Sequence, residues 1–497
     1  MEGSYLTWII ALPVAGAILV ALFGGSGREK LVKYLAAGFS AVTLILALVA
    51  FCVFDRSAAP GTFQFQDTFA WIPAINANYH VGVDGLSMPL VLLTAFLGLM
   101  VVLISWKEHT RVREYFAWLL LLEASILGVF CALDMLLFFV FWEIEIIPMY
   151  FLISVWGSGR KEYSSIKYVV YTLFGSALML AGILSLYFTT GTLSMVEIAE
   201  GGLGMAQTLM PPAAIFLLLV IGFAVKLPTV PVHTWLPDAH TDAPTAGSVM
   251  LAGALIKMGG YGIIRVCVSF FPDVAKDYAP VFLVLAVISI LYGAAITLRQ
   301  TDIKRLIAYS SVSHMGLVML GVFALGEASL TGAALQMVSH GLLTGLLFAM
   351  AGLTIHNVEE RDLRKLGGLA RQAPIIAVIF SIAGLGSLGL PLTSGFAAEF
   401  ITFAGSYSSG IVDGIRVYTI LSVIGVVLAA GYILWMIQRT FYGPPQEKFD
   451  GIKDADRLEK IYMFAFVALI MLVGIYPALL TDMMKIGIAP VAALLGG

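Results

Sequence analysis

Apolar residues run along this chain in long blocks, separated by short polar or basic loops. A membrane-spanning helix needs about 20 mainly apolar residues. Breaks at charges, glycine and proline divide the sequence into fourteen such blocks: 4–24, 31–54, 84–106, 114–132, 134–156, 164–190, 212–236, 244–271, 279–298, 303–325, 329–355, 374–408, 416–439 and 461–484. Two of them are interrupted. In the seventh, "GFAVKLPTVPVH" (222–233) places Pro228 and Pro231 just after Lys226. In the twelfth, "GLGSLGLPLTSGF" (384–396) combines four glycines with Pro391. Neither stretch can continue as an unbroken helix, because proline removes a backbone donor and clashes with the preceding turn. The interrupted helices lie five apart, and five is odd. Helices 4–8 and 9–13 are therefore expected to be repeats of opposite topology, as in inverted-repeat transporters. The expected architecture is an all-α polytopic membrane protein. Residues 1–113 supply three N-terminal helices, 114–271 the first repeat, 272–440 the second, and 441–497 a loop and the last helix.

Composition agrees with that solvent. Of 497 residues, 60% are hydrophobic and only 12% charged, against roughly half and a quarter in soluble domains. A net charge of −3 gives no reason to expect a nucleic-acid partner. The start, "MEGSY", lacks a basic n-region, so the first block reads as an uncleaved membrane helix. Cys52, Cys131 and Cys267 stand singly in apolar stretches, with no CxxC pair to suggest a disulfide framework, zinc site or iron–sulfur cluster. The basic residues test the helix count. With fourteen crossings, 21 of the 28 Lys and Arg fall in loops on one side and five on the other, leaving Lys226 and Lys257 in the membrane. Basic loops face the cytoplasm, so both termini are expected outside.

Eight ionisable residues then fall within the spans: Glu123, Glu143, Glu145, Lys226, Lys257, His314, His340 and Glu399. An ionised group at the bilayer centre costs about 2.5–3.5 kcal/mol by insertion scales. One or two pairs would suffice to lock helices together, and His314, after Ser310, Ser311 and Ser313, would fit a serine-lined seam. A row spread over seven helices fits a proton path better. Lys, His and Glu are the side chains whose protonation can be tuned by burial and neighbouring charge. A proton moved against roughly 150–200 mV needs about 3.5–4.6 kcal/mol, which one buried ion pair, made and broken, can supply. Glu143 and Glu145 are about 200° apart around a helix, so they cannot share a face. "GLGSLG" (384–389) has the spacing of a dinucleotide-binding fingerprint, but it sits in a membrane helix and leads to a proline. A b-type haem held by His314 and His340 is the redox alternative.

Several stretches resemble the M-type antiporter-like membrane subunits of respiratory complex I. They are "GVDGLSMPL" (82–90), "FFVFWEIEIIPMYFLISVWG" (138–157), "AVKLPTVPVHTWLPDAHTDAPTAGSVMLAGALIKMGGYGIIR" (224–265), "IAYSSVSHMG" (307–316) and "QMVSHGLLTGLLF" (336–348). The resemblance implies fourteen helices, two inverted five-helix repeats and a proton channel. By motif it makes Glu143 the helix-5 acid, Lys226 the broken-helix lysine, Lys257 the helix-8 relay, His314 and His340 bridging histidines, and Glu399 the exit-side acid. Glu123 and Glu145 are secondary candidates, and which of Glu143 and Glu145 pairs with Lys226 stays open. Glu399, and a chain stopping about a dozen residues after the last span, fit the M type. The resemblance implies no cofactor or metal in this chain. FMN, iron–sulfur clusters and quinone would belong to partners: L-, N-, K-, J-, A- and H-type membrane subunits and a peripheral redox arm. The place would be a bacterial plasma (inner) membrane, or an internal photosynthetic membrane. A subunit of a Mrp-type cation/proton antiporter or of a membrane-bound hydrogenase is the alternative.

Overall fold

The computed structural model describes residues 4–24, 27–201 and 209–496. Among the described residues, twelve helices are long and apolar enough to cross a membrane. In chain order the first helices are α1 (Tyr5–Phe23), α2 (Glu29–Val53), α3 (Ser87–Ile104) and α4 (Val112–Cys131). A fifth crossing follows, made of α5 (Met135–Ile144) and α6 (Ile146–Trp156), then α7 (Lys161–Thr190) and a short α8 (Met195–Gly201). After α9 (Pro212–Lys226) and α10 (Trp235–Asp242) comes one continuous span. It comprises α11 (Thr245–Met250), a π turn (Leu251–Leu255), α12 (Lys257–Gly262) and a second π turn (Ile263–Val268). The rest are α13 (Pro272–Thr297), α14 (Ile303–Phe323), α15 (Glu327–Val358), α16 (Pro374–Ser387), α17 (Ser394–Ser408), α18 (Ile415–Ile437), α19 (Arg457–Ile475) and α20 (Ala478–Leu494).

Every expected block holds helix. The two interrupted ones are split where the prolines and glycines fall: α9 ends at Lys226 and α10 begins at Trp235, while α16 ends at Ser387 and α17 begins at Ser394. A third break was not foreseen. The fifth crossing is interrupted at Glu145, between α5 and α6. Pro148 has no N–H to donate back to the Ile144 carbonyl, which ends the first segment there.

Two boundaries need correction. The loop between the second and third spans folds as an antiparallel hairpin, β1 (Gln64–Ile72) and β2 (Ala77–Val83). A search for blocks of about 20 apolar residues passes over such short alternating strands. The last span was expected at 461–484; instead α19 ends at Ile475 and α20 continues to Leu494. Pro477 cannot donate into the preceding turn, so the helix stops and restarts. α20 lies against the start of α3 so closely that a Cβ on Gly85 would sit 1.9 Å from the Met483 carbonyl oxygen.

Burial is graded across the bundle. The α11–α12 span is wholly buried, and α14 and α15 nearly so, whereas only about a third of α1, α2 and α19 is buried. Exposed apolar side chains such as Phe188 and Val427 on the outer helices suit lipid or a partner helix. The three most enclosed spans carry Lys257, His314 and His340. At the basic-loop end, Asp456 caps α19 by accepting from the Glu459 N–H at 2.9 Å and holds Lys107 at 2.9 Å. Partial burial opposes it, but these donors keep the Asp456 carboxyl below its usual range.

Candidate proton-relay site

α9 ends at Lys226, so the ammonium lies at the negative end of that helix dipole. The break leaves backbone groups of the last turn to be satisfied by other partners. The Trp235 indole N–H donates to the Val225 carbonyl at 2.9 Å, and the Thr229 N–H donates to Ala224 at 3.1 Å. Lys226 is buried and donates to the Glu145 carboxylate, which is itself fully buried. The Tyr168 hydroxyl, from α7, donates to the other Glu145 oxygen at 2.6 Å and stands 3.4 Å from the Lys226 ammonium. The Tyr168 and Trp142 rings pack over the ammonium at 5.2 and 5.7 Å. A lysine, a carboxylate, a hydroxyl and two aromatic faces thus enclose one buried charge pair.

A second cluster joins the two halves of the bundle. The Lys257 ammonium donates to the Ala252 carbonyl within its own span and lies 2.8 Å from His340 Nδ1 on α15. The preceding π turn sends the Ile256 N–H to Leu251 rather than to Ala252, leaving the Ala252 oxygen for the ammonium. The His340 and His314 rings follow at 5.5 Å between centroids. His314 Nδ1 lies 3.5 Å from the Glu399 carboxylate on α17, and its Nε2 is 3.3 Å from the Ser387 hydroxyl. Lys257, His340, His314 and Glu399 therefore stand in order toward the second broken helix, with a gap between the two imidazoles, since His340 Nε2 has no hydrogen-bond partner among the described residues. Rings this close leave no room for a haem between them. Among the described residues no group of three His, Cys, Asp or Glu side chains is placed to hold a metal ion.

The structure separates the two helix-5 acids. Motif matching singled out Glu143, yet the residue on Lys226 is Glu145. Glu143 instead lines an open groove of about 570 Å³ with Phe139, Ile147, Tyr150 and Leu173. Its Oε1 is buried without a hydrogen-bond partner among the described residues. The spacing accounts for this, since residues two apart point to nearly opposite faces. Glu123 also stands apart from the file. It accepts from the Ser40 hydroxyl at 2.9 Å, and its carboxyl fills the space left by the absent side chain of Gly98.

Two polar residues escaped the sequence reading. Tyr168 was passed over because a tyrosine in an apolar block carries no charge. His240 fell outside the seventh block, which was ended at residue 236, whereas α10 runs to Asp242. His240 is fully buried, stacked on Phe348 at 4.5 Å, with neither ring nitrogen hydrogen-bonded among the described residues. A longer reading of "WLPDAHTD" as the second half of a broken helix would have found it.

Membrane helices that include two crossings split by proline and glycine, with buried Lys, His and Glu side chains beside the breaks, are the construction of an ion-translocating membrane protein. Residues 132–425 match the family described as NADH:quinone oxidoreductase/Mrp antiporter transmembrane proteins, and the chain belongs to it. It is 38% identical over 504 residues to NADH-quinone oxidoreductase subunit M of Rhodobacter capsulatus, covering 98% of this chain and 96% of that one. It is 37% identical over 488 residues to F(420)H(2) dehydrogenase subunit M of Methanosarcina mazei, covering 95% and 97%. Among solved structures, respiratory complex I from Thermus thermophilus with bound NADH contains a chain matching at a TM-score of 0.89 and 28% identity, covering 99% of this chain and 100% of that one. A chain of the Mrp complex from Dietzia sp. DQ12-45-1b shares the fold, at a TM-score of 0.85 and 21% identity.

Proposed function

We propose that this chain is the proton-translocating M-type membrane subunit of a complex I-like quinone oxidoreductase. Electrons travel through partner subunits, and protons travel through this one. The observation that carries the reading is the buried file Lys257–His340–His314–Glu399, with Lys226 and Glu145 paired at the other broken helix. A neutral or charged state at each member shifts the preferred state of its neighbour. Opening the Lys226–Glu145 pair would leave an uncompensated buried ammonium, which favours passing its proton onward. Hydration of the interval between Lys226 and Lys257 would complete the route. In the proposed inverted repeats of helices 4–8 and 9–13 the fourth helix of each half is the one split by proline beside Lys226 or Glu399, and Glu399 becomes the last internal acceptor.

The proposed partners are the other membrane subunits of such a complex and a redox arm carrying FMN and iron–sulfur clusters. Quinone is reduced there and not in this chain. The electron donor is NADH in this reading. The relative named as an F(420)H(2) dehydrogenase subunit supports F(420)H(2) as the second candidate. To test the function, the tagged chain is purified from its membranes with whatever accompanies it and reconstituted in vesicles. Co-purification of flavin and iron–sulfur proteins, with acidification of the lumen when donor and quinone are added, is expected. Sodium-driven proton exchange without any electron donor would instead place the chain with the Mrp antiporters.

The basic loops are proposed to face the cytoplasm, with both termini outside, in a bacterial plasma membrane. Single cysteines replacing Ser4 or Gly496, in a chain otherwise free of cysteine, should react with an impermeant thiol reagent added to cells stripped of any outer barrier. Reaction only after lysis would reverse the topology.

A further inference from the structure

The far end of the Lys257 helix carries a second buried charge pair that the relay does not use. Lys257, Tyr261 and Arg265 follow at intervals of four, so they lie along one face of the span, and Arg265 is about 12 Å beyond Lys257 toward the side away from the basic loops. The Arg265 guanidinium is buried in the second π turn. Its Nη2 lies 2.5 Å from Asp84 Oδ1, and its Nε donates to the Tyr261 hydroxyl at 3.3 Å. The rings of Phe63, next to the hairpin, and of Tyr261 flank it at 5.1 and 5.4 Å. Asp84 is fixed in turn. Its Oδ1 accepts from the Leu86 and Ser87 N–H groups at 3.1 and 3.0 Å and from the Ser87 hydroxyl at 3.1 Å. Its Oδ2 is buried without a hydrogen-bond partner among the described residues, and α20 lies over it, a Cβ on Gly487 falling 3.1 Å away.

A guanidinium does not deprotonate in proteins, so it cannot pass a proton on. A fixed positive charge in a narrow passage also repels protons and cations, as an arginine does in water-selective pores. We propose that Asp84 and Arg265 form an electrostatic seal between Lys257 and the outer surface, with the Tyr261 hydroxyl as the last polar group on the Lys257 side. The proposal rests on Lys257 being a proton carrier. Its role is to keep a loaded Lys257 from discharging directly outward, so that the proton must leave by way of His340, His314 and Glu399. Asp84 holds the guanidinium in place and offsets its burial, and it becomes a proton acceptor only when the arginine is gone.

The test is the passive decay of an imposed pH gradient across vesicles containing the whole complex, with no electron donor present. Arg265→Gln should speed the decay about tenfold, as expected for a barrier lowered by about 1.4 kcal/mol. Arg265→Lys and Asp84→Asn should stay as tight as the parent, because each keeps a cation in the passage. Arg265→Gln combined with Lys257→Met should be tight again, because the leak runs through Lys257. An assembled Arg265→Gln complex that holds its gradient, or a double variant that leaks equally, overturns the seal. If Arg265→Gln does not assemble, Tyr261→Cys supplies the second measurement. With Arg265 in place that cysteine should resist small impermeant thiol reagents added outside, and labelling overturns the proposal. Normal redox-linked pumping by Lys257→Met alone would refute the relay reading instead, and is distinguishable from a tight Arg265→Gln complex.

Discussion

A complex carrying Lys226→Ala is expected to lose most of its redox-linked proton pumping, and Glu145→Gln should lose as much. Lys226 and Glu145 are both sealed from solvent and pair directly. Removing one partner leaves the other charge buried alone, which in other proteins costs about 3–5 kcal/mol. Either single variant should therefore also lower thermal stability of the assembled complex. The double variant Glu145→Gln with Lys226→Met removes both charges and should recover much of that stability while remaining unable to pump. A purely structural pair would show the same recovery of stability but with pumping restored alongside it. Glu143→Gln should disturb stability little, since the buried Glu143 Oε1 accepts no hydrogen bond among the described residues. If Glu143→Gln abolishes pumping while Glu145→Gln leaves it intact, the helix-5 acid acting on Lys226 has been assigned to the wrong residue.

Glu399→Gln should stop pumping as completely, for a different reason. Glu399 faces His314 at 3.5 Å and ends the file at the second broken helix. An amide keeps the size of the carboxyl but cannot bind and release a proton, so the file loses its last acceptor. Glu399→Lys should be impaired without being dead. A lysine can titrate, but it is positive when loaded where a glutamate is neutral, and a protonated His314 would repel it. Lysine variants that recover part of the activity after His314→Gln would support that account. Pumping at the parent rate in Glu399→Gln would make the residue a packing element.

Most of this architecture is legible in the sequence because bilayers admit so few solutions. Backbone groups must be satisfied within each helix, so block length and proline position are direct physical records. That is why the breaks after Lys226 and before Glu399 were both visible. What was hidden depends on side-chain direction. Glu143 and Glu145 look interchangeable in a string of letters, yet the break at Glu145 and the 200° between them send one to Lys226 and the other to an open groove. His240 was lost for a similar reason: once a helix is known to be broken, its second half must be followed past the point where hydropathy fades. The Asp84–Arg265 pair joins residues from two quoted motifs 181 positions apart, and no local pattern links them. The hairpin at 64–83 was missed because strands of seven and nine residues lie below the length that a membrane scan seeks.

The central claim, that protons driven by electron transfer pass through this chain, is tested most directly by the number of protons translocated per quinone reduced. The measurement compares vesicles holding the parent complex with vesicles holding Lys257→Met, at matched rates of quinone reduction. Lys257 bonds His340 and the Ala252 carbonyl and forms no ion pair among the described residues, so the variant interrupts the file with limited structural cost. The ratio is expected to fall in the variant while both membranes remain equally tight to an imposed gradient. An unchanged ratio would mean that the protons take another route.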